Sequence, residues 1–285
     1  MTSFTTVASI LTRSSGFLRD VCSHSLQPYQ GCPFGRALCG VGCYVRHNPW
    51  ITRGRPWGSF LEARTNAADA YRSAYHRERA WARRHRSQFA IFLSSSTEPF
   101  PPQETRLGLT RSVLQAMRAL PPDLLILQTH SPGVVQAEEL LVDLSRSCQV
   151  RVHISIETDR DRLPGLPPPA ASVEERLAAA ARLKRAGLFT VITVAPLLPI
   201  ADPHRFFARV AASADAVVLD HFIAGDGSPN GRRTRSTPLP AAMAAIDPAS
   251  LDLSYRDRMG VIAEGYLPGR VGYHTDGFAA RWGRP

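Results

Sequence analysis

Val150-Arg-Val-His-Ile-Ser-Ile156, then Ser172-Val-Glu-Glu-Arg-Leu-Ala-Ala-Ala-Ala-Arg-Leu-Lys-Arg-Ala-Gly187, then at once Leu188-Phe-Thr-Val-Ile-Thr-Val194, read as strand, helix and strand. The two apolar runs are too short for helices and are bounded by polar or turn residues. Between them Ser172 and Glu175 have the spacing of a capping box. Leu177, Ala180 and Leu183 share one helical face, and Gly187 ends the helix. A unit of this kind places its two strands parallel in one sheet.

The same alternation extends in both directions. Phe89–Leu93, Leu124–Leu127 and Ala216–Leu219 are further short apolar runs. Thr110 or Ser112 can cap a helix carrying Val113, Leu114, Met117 and Leu120, and Asp202 followed by Pro203 starts another. Ahead of the repeat, Asn66 can cap a helix to about His85, with Ala70, Tyr71, Ala74 and Trp81 inward. Its outward Arg72, Arg77, Arg79, Arg83, Arg84 and Arg86 are either a solvated basic face or an anion-binding surface. The class is α/β, with an open doubly wound sheet or a closed or partly closed barrel as the two arrangements. In either, reactive groups belong just past the C-terminal ends of the strands. Pro99–Pro102 and Pro164–Pro169 read as loops, and the tail from Pro238 as a cap or an extra edge.

With 285 residues, one main catalytic domain is expected. The 34 basic and 24 acidic residues leave a net charge of +10, and Lys184 is the single lysine. Such a balance suits an anionic partner such as nucleic acid, or simply a solvated face. There is no apolar run of about 18 residues, and the segment Met1–Arg19 lacks a basic start followed by a long apolar stretch. A cytoplasmic protein with no membrane contact is expected.

Four of the five cysteines lie in the run Cys22-Ser-His24-Ser-Leu-Gln-Pro-Tyr-Gln-Gly31-Cys32-Pro-Phe-Gly-Arg-Ala-Leu-Cys39-Gly-Val-Gly-Cys43-Tyr44. In a reduced compartment clustered cysteines bind metal more often than they form disulfides. Cys32, Cys39 and Cys43, separated by glycines that let the chain fold tightly, can converge on a soft-metal site. Three thiolates on a 4Fe-4S cluster leave one iron open. Zinc with Cys22 or His24 as fourth ligand is the alternative. Cys22 itself is a hydrogen-atom donor, a fourth ligand or a packed small residue. Cys148 precedes its strand and reads as an inert core thiol at the far face.

The run Leu26–Tyr44 resembles the cluster loop of radical S-adenosylmethionine enzymes, in particular the branch related to spore photoproduct lyase. Further similarities follow in order: Thr65-Asn66-Ala67, Ser94-Ser-Ser-Thr97-Glu98-Pro99-Phe100 with Glu104, Leu109-Thr110-Arg111, Gln128-Thr129-His130-Ser131, Ser155-Ile-Glu157-Thr158 and Pro196-Leu-Leu-Pro199. Most members of that family space their cysteines C-x3-C-x2-C, whereas this chain has C-x6-C-x3-C, with Gly42 before the last cysteine.

The resemblance implies a partial (β/α)6-type parallel barrel over residues 21–235 with the cluster loop at 32–43. An N-terminal extension at 1–20 and a short C-terminal cap at 236–285 complete the chain. It implies a 4Fe-4S cluster on Cys32, Cys39 and Cys43, with S-adenosylmethionine as cosubstrate, cleaved reductively to a 5′-deoxyadenosyl radical that abstracts hydrogen from substrate. Thr97 or Glu98 would contact its amino group, Ser155 or Glu157 its ribose or carboxylate, and Pro196 its adenine. His130 stands where relatives carry lysine and would be a basic contact. A flavodoxin or ferredoxin would supply electrons. The substrate is open between a pyrimidine photoproduct in DNA, a small molecule and a peptide. Gly225-Asp226-Gly227-Ser228 with Arg232, Arg233 and Arg235 is either a phosphate loop or a plain turn, and Tyr273, His274 and Asp276 are polar candidates without a role.

Overall fold

The computed structural model describes residues 2–86 and 88–283, so the first residue of the expected N-terminal extension and the last two of the C-terminal one lie outside the described residues. The larger sheet holds β2 (Leu11–Arg13), β3 (His24–Leu26), β6 (Ala90–Leu93), β7 (Leu124–Thr129), β8 (Gln149–Ser155), β9 (Phe189–Val194), β10 (Ala216–Leu219) and β11 (Val271–Tyr273). Its order is β11-β10-β9-β8-β7-β6-β3-β2. Every neighbouring pair is parallel except β2 with β3. From β3 to β11 the order therefore follows the chain without reversing, whereas a doubly wound sheet reverses. The arrangement is the partial parallel barrel: a curled sheet with helices on one face, left open because β2 and β11 do not pair.

A three-stranded sheet sits beside it, in which β1 (Thr2–Thr5) runs parallel to β5 (Leu61–Arg64) and β5 antiparallel to β4 (Tyr29–Gly31). Residues 2–20 are thus woven into both sheets, and β11 is the extra edge expected of the tail.

The outward strand residues Ile91, Leu93, Leu125, Leu127, Val152, Ile154, Ile192, Val194, Val217 and Leu219 are all fully buried. They pack with Tyr71 and Ala74 of the helix Ala67–Arg86, Val113 and Met117 of Leu109–Ala119, Leu177 and Leu183 of Val173–Arg185, and Phe207 of Pro203–Ser213. Each such side chain contributes roughly 1.5–3 kcal/mol by leaving water. The inward residues Ala90, Phe92, Leu124, Ile126, Val191, Ala216 and Val218 form a separate cluster with Val21, Cys22 and Phe278. This cluster plugs the N-terminal half of the barrel and leaves its C-terminal half hollow.

Two helix starts differ from expectation. The helix Leu109–Ala119 is capped by Gly108 at φ +59, not by Thr110 or Ser112. The Thr110 hydroxyl instead donates to the Pro99 carbonyl at 2.5 Å, and that of Ser112 to Leu109 O. Asn66 precedes its helix as expected, but its side chain makes two hydrogen bonds to the Val7 backbone and ties β1 to the helix start. The capping box Ser172/Glu175 forms as read, and Gly187 takes φ +84 after the helix. The basic face of Ala67–Arg86 is largely paired: Arg72 with Asp69, Arg77 with Glu78, and Arg79 and Arg83 with Asp123.

Candidate active site

The strand ends open into a cavity of about 700 Å³, and Cys32, Cys39 and Cys43 line one side of it. All three are free thiols. The long spacing between the first two is absorbed locally: Pro33–Arg36 form one 3-10 turn and Leu38–Val41 one helical turn, which returns Cys39 to the cavity. That fold needs glycines. A Cβ on Gly40 would lie 2.1 Å from Gly35 O, and one on Gly35 would lie 2.5 Å from Gly58 N. The Thr97 hydroxyl donates to Gly31 O, fastening the loop after β6 to the residue before Cys32.

Burial pushes all three thiols up, Cys43 to about 11. For Cys32 and Cys39 the negative charges of Glu98, Glu157 and the neighbouring cysteines add to that rise. A cationic group bound here would meet three sulfur donors and the Glu98 carboxylate. Among the described residues no three His, Cys, Asp or Glu side chains are gathered to hold one metal ion. Three thiols on one cavity are the donor type that a cluster takes. Neither proposed fourth zinc ligand joins it: Cys22 contacts Ser14 in the barrel floor. His24 is buried on the outer face of β3, against Glu78 and Trp81.

Glu98 is buried, and its carboxylate accepts from Phe100 N, Thr129 Oγ1 and His130 N at 2.5–2.9 Å. Burial raises its pKa, against the pull of His130 and these donors. His130 lines the cavity with Nε2 3.1 Å from Glu157 Oε1. The partner that Glu157 requires is Arg176, whose Nη1 reaches Glu157 Oε2 at 2.8 Å and Ser155 O at 2.7 Å. Burial opposes the Glu157 charge, but Arg176 and His130 outweigh it and hold the carboxyl well below the usual range. Ser155 Oγ bonds Thr193 and Gln128 behind the cavity surface. Thr97, Glu98, His130 and Pro196 face the cavity, and Ser155 and Glu157 stand behind that surface.

The cavity lining also holds residues for which sequence reasoning found no role. His274, just past β11, places Nδ1 3.1 Å from Oδ1 of Asp220, just past β10, and Phe17 packs edge-on to its ring. Asp220 could have been found from its place at a strand end. Phe17 and Trp57, which reach the cavity from segments outside the βα repeat, could not. In the glycine loop, Asp226 accepts from Ser228 N, Ser228 Oγ and Thr234 N. The loop thus closes on its own carboxylate, which disfavours a phosphate there.

Comparison with protein-family profiles and with curated protein sequences yields no match. Among solved structures the chain is similar to spore photoproduct lyase. One is a cysteine variant with bound AdoMet and dinucleoside spore photoproduct, matched at TM-score 0.59 and 14% identity over 96% of this chain and 81% of that one. Another, a cysteine-to-alanine variant with the dinucleoside photoproduct, gives 0.60 and 14% over 96% and 80%. At such identity the likeness is one of fold.

Proposed function

We propose that this chain is a radical S-adenosylmethionine enzyme whose 4Fe-4S cluster is held by Cys32, Cys39 and Cys43. The observation that carries the reading is the placement of three free cysteines on the wall of a cavity at the C-terminal ends of parallel strands. When bound, the cluster with its open iron supplies the electron that splits S-adenosylmethionine into methionine and a 5′-deoxyadenosyl radical. The residues of the chain bind and orient. His130, held by Glu157, presents an imidazole to a carboxylate of the cosubstrate. Thr97 and Glu98 brace the loop that meets its amino group, and Pro196 offers an apolar edge to the adenine. The walls exclude water from the radical.

Hydrogen abstraction from a pyrimidine photoproduct is the finer reading, supported by the fold shared with spore photoproduct lyase. A flavodoxin or ferredoxin is the electron source we assign. The zinc alternative is disfavoured by the positions of Cys22 and His24.

Anaerobic reconstitution followed by iron, sulfide and visible-absorption measurement tests the reading. Dithionite and S-adenosylmethionine should then give 5′-deoxyadenosine, and Cys39→Ala should abolish it. A colourless protein with one zinc and no sulfide would overturn the proposal. Binding to DNA should weaken steeply with salt, and absence of binding at low salt removes the DNA substrate.

A further inference from the structure

Trp57 reaches the cavity from the segment between the cysteine loop and β5, and its ring is held from two directions. Phe60 meets it edge-on, with centroids 6.1 Å apart. Phe60 is in turn covered by the Arg55 guanidinium, 3.7 Å from the ring centroid, and Arg55 is tied to Glu62 of β5 at 2.7 Å. On the loop side, a Cβ on Gly35 would lie 2.8 Å from Trp57 Cδ1, the ring atom bonded to Nε1. The nitrogen edge of the indole therefore presses on the turn between Cys32 and Cys39. Nε1 is buried and makes no hydrogen bond of ordinary geometry among the described residues. A buried donor left unpaired costs about 1–3 kcal/mol, and a phenyl ring would pack without that cost. The acceptor within reach is sulfur. Cys43 shares the cavity wall with Trp57. Burial raises the Cys43 thiol to about 11, and the Val45 and Arg46 amides, the Arg46 charge and the Trp57 indole pull against it. A thiol sulfur accepts weakly, whereas an ionised acceptor forms the stronger bonds. A donor idle against the thiol is thus engaged once the sulfur is a metal-bound thiolate.

We propose that Trp57 is a positioning residue that acts through Cys43, donating Nε1–H to its sulfur and holding the reduction potential of the cluster up. The inference rests on the radical-enzyme reading and adds to it a residue that governs how readily the site accepts an electron. A reduced cluster carries one more negative charge than an oxidised one, so a donor aimed at a ligand sulfur favours the reduced form. Hydrogen bonds to the sulfurs and exposure to solvent are the protein's levers on such potentials. The surroundings press the other way: the wall is buried, and the Glu98 charge lies near Cys32 and Cys39. Neither arginine nor lysine lines the cavity among the described residues, so a neutral N–H is the kind of donor left to offset that charge. Trp50, in the same segment, is 86% exposed and stands outside the cavity lining, where it cannot act in this way.

Redox titration of the reconstituted holoenzyme, followed by the EPR signal of the reduced cluster, tests the proposal. Trp57→Phe keeps an aromatic ring and loses the N–H. It should shift the reduction equilibrium about tenfold towards the oxidised form, a fall in midpoint potential of about 59 mV for one electron. Such a shift is what one lost hydrogen bond to a charged group produces. Pulsed EPR in deuterium oxide should show one exchangeable deuteron fewer beside the reduced cluster of Trp57→Phe, with those of the Val45 and Arg46 amides kept. Trp50→Phe should match the parent in both measurements. An equilibrium for Trp57→Phe within about twofold of the parent overturns the proposal, and so does an unchanged set of deuterons. Loss of iron and sulfide from Trp57→Phe also overturns it, because the indole would then be a prop for the loop. A parent protein that takes up no iron and sulfide overturns the radical-enzyme reading itself, so the two failures are distinguishable.

Discussion

Arg176 and Glu157 form an ion pair sealed from solvent, 2.8 Å between Nη1 and Oε2, behind the wall that presents His130 to the cavity. The pair links the helix Val173–Arg185 to the end of β8 and sets where the His130 imidazole can point. Arg176→Met leaves a buried carboxylate with only His130 beside it, a loss on the order of 3–5 kcal/mol. Urea unfolding at pH 7 should show it. Because the Glu157 carboxyl is held below its unfolded value, its stabilisation is full above about pH 4.3 and fades as pH falls from there. The difference between parent and variant should therefore shrink in acid.

Gly40 and Gly42 separate backbone crowding from side-chain crowding in the cysteine loop. A Cβ on Gly40 collides with the Gly35 carbonyl at 2.1 Å, which cannot yield without unwinding the turn that returns Cys39. A Cβ on Gly42 meets only Leu239 Cδ1, the tip of a flexible side chain, at 2.4 Å. Gly40→Ala should lose most of its iron and sulfide after anaerobic reconstitution, and Gly42→Ala should retain them. Equal loading of the two would show that the turn is not needed.

How much of this was legible in the sequence depends on period and length. The strands β6 to β10 and the helices Leu109–Ala119, Val173–Arg185 and Pro203–Ser213 are readable because each carries an apolar run or a helical face, and β10 matches to the residue, whereas the helix Glu138–Leu144 is not singled out. The strand β3 was not: His24-Ser-Leu26 has no apolar run and is recruited by pairing with β6. Arg176 falls on the buried stripe of its helix with Val173, Leu177, Ala180 and Leu183, so the helical period turns it inward, but its pairing with Glu157 is set by tertiary packing. The His274 and Asp220 contact joins positions 54 apart that meet because β10 and β11 are neighbours.

His153 carries a different expectation. It points into the barrel floor from β8, fully buried, with neither ring nitrogen hydrogen-bonded, and it stacks on Phe278 with centroids 5.9 Å apart. Burial lowers its pKa to about 3, so the folded chain keeps it neutral. The unfolded chain takes up its proton below about pH 6.5, and stability falls as pH drops from there towards 3. His153→Leu removes two unsatisfied nitrogens. It should match or exceed the parent in stability at pH 7, with a shallower decline between pH 6 and 4 by thermal unfolding. A loss of several kcal/mol at pH 7 would instead mean that His153 has a partner there.

Cys22 is the first of the clustered cysteines in the chain, and its surroundings predict that it behaves unlike the other three. Its Sγ lies 3.2 Å from Ser14 Oγ and 3.7 Å from Leu18 O, among Val21, Ala90 and Phe92, below the cavity rather than on its wall. Burial raises the thiol to about 11, as it does that of Cys43, so what sets Cys22 apart from the other three is its place off the cavity wall and not its acidity. Cys22→Ala removes one buried sulfur and should cost about 1 kcal/mol in unfolding free energy. Iron and sulfide content, and 5′-deoxyadenosine formation with dithionite, should stay at the parent level. Retained deoxyadenosine with loss of product from a labelled substrate would instead assign Cys22 a hydrogen-atom transfer that its placement in the floor does not support.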